Sequence, residues 1–234
     1  MTHSLPIFVL HVREGYEDRA AHIDAMMARL GLPFEYMLDG DKCDLTPEVL
    51  DRYFTGDMKT ASGATSCAYK HLLVCRAIVE RKLSGALVLE DDIVLTQRYE
   101  EVAHATISEL SAGIPSIVSY EDTRLRFVPR SMRRKGKFLY PGDRDRYTGA
   151  LYVNAEAART ILEEAEKNKL DRPIDLYHRH LLETGKIHYW WSHPCTASQG
   201  SFNGMFSTSI DANRGKVFAW KAKRLYRKLL YFFR

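Results

Sequence analysis

Apolar and polar positions alternate along this chain in blocks that change period. "PIFVLHV" (6–12) is an apolar run rich in β-branched and aromatic residues and predicts a buried strand. "EDRAAHIDAMMARLGL" (17–32) places apolar residues at 20, 23, 26, 27 and 30, a helical period that Gly31 can end. "FEYMLDGD" (34–41) reads as a strand entering a turn, and 42–63 as an irregular polar connection. "GATSCAYKHLLVCRAIVERK" (63–82) carries one apolar stripe through 64, 67, 68, 71, 72, 75, 78 and 79, so it predicts a helix. "GALVLEDD" (85–92) follows with no alternation, as a central strand covered on both faces should. A helix over 99–110, a strand over 116–120, a strand in "TGALYV" (148–153) and a helix over 155–168 capped by Asn154 complete the series. Strands alternating with helices predict an α/β fold with a mostly parallel sheet flanked by helices.

Length and composition fit this picture. A chain of 234 residues, 45% hydrophobic and 27% charged, can bury one sizeable core. No apolar run approaches the roughly 18 residues of a membrane span, and "LPIFVLHV" (5–12) reads as a first strand, not a signal peptide. Cys43, Cys67, Cys75 and Cys195 lack metal-binding spacing, which predicts reduced thiols in a cytoplasmic protein. The net charge of +4 is unevenly placed: residues 216–234 hold seven basic residues and no acid, so the remainder is mildly acidic. That asymmetry argues against a nucleic-acid partner and gives the tail a separate task. We expect a domain over 1–213 and a basic amphipathic tail over 214–234. The tail's cations and aromatics suit an anionic membrane surface; the alternative is a helix packed on the body.

The acids Glu90, Asp91 and Asp92 close the apolar strand at its carboxyl end, where open α/β sheets bind ligands. Neighbouring carboxylates about 4 Å apart repel by roughly 1 kcal/mol in water and about 4 kcal/mol at an effective dielectric near 20. A cation or a raised pKa relieves such a cluster, and hard divalent ions such as Mg²⁺ or Mn²⁺ favour its oxygens together with substrate phosphates. The alternative is a solvated strand end.

These segments, taken in order with "YTGALYVNAEAARTIL" (147–162), "PIDLYHRHLL" (173–182) and "CTASQGSF" (195–202), resemble glycosyltransferase family 25, the lipooligosaccharide-biosynthesis and collagen-galactosyltransferase type, over about residues 5–205. The chain departs from the family pattern at Lys70, where a serine is expected, and at Cys75, where an aromatic is expected. The resemblance implies a GT-A fold, a UDP-hexose donor (galactose or glucose), Mn²⁺ or Mg²⁺, inversion at the anomeric carbon and a lipooligosaccharide or lipopolysaccharide acceptor. It implies that Asp92 binds the metal and that Glu90 and Asp91 contact the donor. Together with the basic tail, the resemblance predicts a peripheral protein on the inner face of the cytoplasmic membrane.

Other residues join this scheme, each beside a plainer role. Asp175 is the candidate base that inversion requires, or else a helix N-cap. His71 borders the donor pocket or is a hydrogen-bonded core histidine. His193 is a second metal ligand or a turn residue before Pro194. Arg19 and Asp39 contact the nucleotide, or are a surface helix charge and a turn residue. Gln199 lines the site. The run 124–146, with nine basic residues, is a solvated loop or a lid over an anionic acceptor. Two rival readings remain: a metal-dependent nucleotidyltransferase, against which stands the lack of a glycine-rich phosphate loop, and a non-catalytic peripheral membrane binding module.

Overall fold

The structure, a computed structural model, describes residues 5–203, 205–206 and 217–233. Its centre is a seven-stranded sheet. The strands are β1 (Ile7–Leu10), β2 (Glu35–Met37), β3 (Gly85–Glu90), β5 (Ser116–Ser119), β6 (Leu139–Pro141), β7 (Ala150–Asn154) and β8 (His188–Ser192), in the order β2-β1-β3-β7-β5-β8-β6. Five of them run the same way; β7 and β6 run against their neighbours. The sequence therefore predicts the α/β class and the largely parallel sheet correctly. The reversal of β7 is invisible in it, because a strand buried on both faces reads alike in either direction.

Side chains alternate between two cores. Phe8, Leu10 and Val88 face the helices α3 (Gly63–Glu80), α5 (Ala155–Asn168) and α6 (Ile174–Glu183). Ile7, Val9, Leu87 and Leu89 face α1 (Glu17–Leu30) and α4 (Tyr99–Ser108). Gly31 ends α1 in the left-handed conformation (φ 68°), and the Asn154 carboxamide oxygen caps α5 by accepting from the Ala157 N–H at 2.8 Å. The stretch 42–63 is more regular than expected. It contains α2 (Pro47–Tyr53), whose cap Thr46 accepts from the Val49 N–H and whose proline sits at the first helical position.

Beyond β3 the chain turns through Asp91 and Asp92 into β4 (Ile93–Leu95), which pairs antiparallel with β9 (Ala197–Gln199), so that Ile93 faces Gln199. The short α7 (Gly200–Asn203) follows, and α8 (Val217–Phe233) ends the chain. The expected domain boundary at 213–214 lies outside the described residues, as do Lys216 and Arg234 of the tail. The described part of α8 packs on the body. Trp220 meets Phe202, Tyr231 meets Phe127, and Arg224 Nε donates to Asp122 at 2.8 Å. Leu225, Tyr226, Leu229, Leu230, Phe232 and Phe233 stay exposed. No helix among the described residues is long and apolar enough to cross a membrane. All four cysteines are free thiols.

The basic run 124–146 is built into the fold. Leu125, Phe127 and Val128 are buried, β6 joins the sheet, and Arg146 is wholly buried with its guanidinium 4.5 Å from the Trp191 ring. Its partners lie far away in sequence, which is why its composition alone reads as a solvated loop.

Candidate active site

The carboxyl edge of the parallel strands collects the polar residues. His11 and Arg13 follow β1, Asp41 follows β2, the three acids end β3, and Glu121 and Asp122 follow β5. Two cavities open there. The larger, about 810 Å³, is walled by His11, Arg13, Tyr16, Asp41, Ser66 and Lys70; the smaller, about 350 Å³, by Asp92, Arg124, Tyr147, Asp175, Gln199 and Ser201. Arg19, Cys67 and Glu90 line both, so the two chambers share a wall at the end of β3.

The three acids have unlike surroundings. Asp91 is fully engaged: His11 Nδ1 lies 2.8 Å from Oδ2 and Arg19 donates to Oδ1 at 2.7 Å. Burial works against the Arg19 charge, and Asp91 more than offsets it, so the guanidinium pKa rises. Glu90 accepts from Thr148 at 2.7 Å and from Gln199 Nε2 at 3.3 Å. Gly149 makes the second contact possible, since a Cβ there would stand 2.7 Å from Gln199 Nε2. Asp92 is buried, and its Oδ1 has no hydrogen-bond partner. Burial, reinforced by Glu90, pushes its pKa up to about 6 despite a hydrogen bond from Ser201.

An orphaned, buried carboxylate oxygen beside a second carboxylate is an incomplete oxygen-donor set. It suits a hard divalent cation, which supplies the missing partner and removes the repulsion. The residues present thus fit the Mg²⁺ or Mn²⁺ expected from the sequence. His193 does not share this place. It lines a separate cavity of about 360 Å³ between α8 and the body, with Phe127, Arg133 and Lys228, where burial and the arginines Arg133 and Arg146 lower its pKa to about 4.

The remaining candidates fall as follows. Asp175 is the second residue of α6; Pro173 holds the cap position and no side chain caps the helix there. Its Oδ2 accepts from Arg124 at 2.7 Å, and burial raises its pKa against that arginine's pull. His71 is buried on α3 with Nε2 3.9 Å from Glu90 Oε1. Asp39 is exposed, and only its carbonyl is engaged, accepting from Lys70 Nζ. Two residues on, Asp41 faces the large cavity instead. Its desolvation is outweighed by Lys70 (2.9 Å) and Arg13, so its pKa is lowered. Gln199 and Arg19 sit on the shared wall or beside it, and Asp91 faces the large chamber.

Sequence reasoning did not single out His11, Arg13, Asp41, Thr148 or Glu121 for the site. The signal that marked Glu90, a polar residue directly after an apolar strand, also marks His11 after "IFVL". Arg124, counted only within the basic run, stacks over Tyr147 at 4.0 Å and bridges Asp145 and Asp175.

The family model described as glycosyltransferase family 25, LPS biosynthesis protein, matches residues 6–177 of the chain. That span contains both chambers' walls except Gln199 and Ser201. No curated protein matches the chain.

Proposed function

The chain belongs to glycosyltransferase family 25, whose members transfer sugars in lipopolysaccharide biosynthesis, and from that premise we propose an inverting, metal-dependent hexosyltransferase. It takes galactose or glucose from a UDP-sugar and passes it to a lipooligosaccharide or lipopolysaccharide acceptor. One observation carries the reading. Two chambers of unequal size meet at Glu90, and Asp175 lines only the smaller one. A nucleotide-sugar in the large chamber points its sugar at the shared wall, and the acceptor hydroxyl approaches from the small one.

Asp92, on the small-chamber side beside the shared wall, would hold Mg²⁺ or Mn²⁺, which when bound would neutralise charge on a diphosphate brought to that wall. Arg19, fixed by Asp91, brings a further positive charge to the shared wall. Glu90, held by Thr148 and Gln199, accepts hydrogen bonds at that wall and orients donor hydroxyls. Asp175 takes the proton of the attacking hydroxyl. Its burial raises its proton affinity, which a base needs, while Arg124 keeps the anion populated and fixes its direction. The acceptor oxygen bonds to the anomeric carbon as the bond to the diphosphate oxygen breaks, so configuration inverts.

The exposed apolar side chains of α8 would rest on an anionic membrane surface that displays the acceptor. Arg224 and Lys228 are turned towards Asp122, so they contribute less to that contact than the tail's formal charge implies.

A nucleotide-sugar panel with Mn²⁺ or Mg²⁺, and a chelator control, tests the reading. Transfer or slow hydrolysis of UDP-galactose or UDP-glucose, stopped by the chelator, with a product of inverted configuration by NMR, is expected. Retained configuration, or turnover indifferent to the chelator, contradicts it.

A further inference from the structure

At the shared wall, Glu90 meets two side chains of α3, Cys67 and His71, to which the transfer mechanism gives no role. Cys67 and His71 are four residues apart on α3, so they share one face of the helix, and the carboxylate of Glu90 meets them from the end of β3. One candidate ligand atom from each lies within 4.8 Å of the other two. His71 is 3% exposed, its Nε2 has no hydrogen-bond partner, and that nitrogen is 3.9 Å from Glu90 Oε1. A buried imidazole nitrogen ordinarily finds a partner; this one is directed at a carboxylate without bonding it.

We propose that Cys67, His71 and Glu90 form a site for a thiophilic divalent cation of the Zn²⁺ type, separate from the oxygen-donor position of Asp92. A sulfur, an imidazole nitrogen and a carboxylate oxygen are the ligand types Zn²⁺ takes, at about 2.3, 2.0–2.1 and 2.0–2.2 Å, and three protein ligands leave a fourth position open. Tetrahedral bonds of those lengths hold ligand atoms roughly 3.3–3.8 Å apart. The observed grouping is therefore within about 1.5 Å of closure, a distance that side-chain rotation covers. Cys67 and Glu90 line both chambers, so water reaches the open position. Thiolate and imidazole favour Zn²⁺ over Mg²⁺ or Mn²⁺, whereas Asp92 offers only oxygen.

Binding a dication here is coupled to loss of a thiol proton. Burial, with Glu90, Asp175, Asp91 and Asp92 nearby, holds the Cys67 thiol protonated. The same negative surroundings attract Zn²⁺. On binding, the S–H bond breaks, its proton leaves to solvent and a sulfur–zinc bond forms with no change of oxidation state. His178, edge-on to His71 at 6.0 Å, adds no opposing charge, since burial keeps it neutral. If the transferase reading above holds, an ion here draws Glu90 away from Thr148 and Gln199 and slows transfer.

Co²⁺, a coloured stand-in for Zn²⁺, tests the site on the full-length protein without nucleotide-sugar, so the result does not depend on transferase activity. The expected result is a thiolate-to-cobalt charge-transfer band in the near ultraviolet, abolished by equimolar Zn²⁺. It should vanish in Cys67→Ser and His71→Gln, with folding checked by circular dichroism, and persist in Asp92→Asn. No band in the wild-type protein overturns the proposal. So does a band that survives Cys67→Ser, which places the thiolate at another cysteine such as Cys43. A band lost in Asp92→Asn overturns the separation of the two sites. Zn²⁺ that displaces Co²⁺ yet leaves transfer unchanged overturns the link to Glu90.

Discussion

The two chambers beside Glu90 differ in how their charges are settled. In the large one, Asp91 is closed by His11 and Arg19, and Asp41 by Lys70 and Arg13; each acid has its cation within 3.1 Å. In the small one, Asp92 keeps an orphaned oxygen, and half-buried Asp175 has a raised pKa that its one cation, Arg124, only partly offsets. Compensated charges make a rigid, preorganised wall, suited to binding. Partly compensated ones hold protons and attract cations, which suits chemistry at the cost of stability. The contrast lies between residues adjacent in sequence: Asp91 and Asp92 differ by one position and belong to opposite classes.

The largest expected effect comes from removing the orphan. Asp92→Asn should lower transfer by at least ~10²-fold, the lower end of what one positioned catalytic group contributes, and abolish its dependence on added metal. The same change should stabilise the metal-free protein. A carboxylate whose pKa rises on folding, here to about 6, contributes stability below its unfolded pKa and loses it as pH climbs through the folded value. At pH 7 without metal the variant should therefore melt about 2–4 °C higher, the shift of ~1 kcal/mol in a chain of this size. An unchanged or lower melting temperature in calorimetry would show that Asp92 is already compensated.

Next in size is Arg124→Gln, which strips Asp175 of the charge that favours its anion. The pKa of Asp175 then rises, so the acid limb of the transfer profile should move to higher pH and the rate at neutral pH drop roughly tenfold. A profile that only scales down, without moving, would make Arg124 a packing residue.

On α8, Arg224→Ala leaves Asp122 buried with less of its partner, and thermal unfolding should show a loss of about 1–2 kcal/mol. Binding to anionic vesicles should weaken far less, since the exposed face of the helix is untouched. Equal loss of both would mean that the Arg224 charge itself holds the membrane.

The last effect shows only away from neutral pH and leaves transfer untouched. His178 is pulled down to about 3 by burial and by His71, while its unfolded value is near 6.5. The unfolded chain alone takes up that proton as pH falls from about 6.5 towards 3, so the folded state loses about 1.4 kcal/mol per pH unit there. His178→Gln should flatten this slope in urea titrations, and an unchanged slope would assign it to other groups.

The division between the chambers was only partly legible in the sequence. The strand carrying the acids is plain because an apolar run without alternation must be covered on both faces, and its carboxyl end is where such sheets bind. Asp91 and Asp92 look identical from that vantage. What separates them is His11, Arg19 and Ser201, which arrive from β1, α1 and α7. Asp39 and Asp41 show the same limit in "DGD": the turn at Gly40, with φ 93°, puts one outside and the other in the cavity wall. Asp175 looks like a helix cap because Asp begins many helices; Pro173 takes that position, and Arg124, fifty-one residues away, explains the carboxylate better. Thr46-Pro47 was a readable start for α2, hidden by the polar residues around it.

In the proposed mechanism the donor binds in the compensated chamber while the proton leaves to Asp175 from the other. Isothermal titration of UDP with Mn²⁺, run beside single-turnover transfer, tests it in the wild type and in Asp175→Asn. UDP affinity in the variant should stay within about threefold of wild type and transfer should slow by about 10²–10⁴, the contribution of a positioned base. Transfer at the wild-type rate, or UDP affinity lost in proportion to transfer, would contradict it.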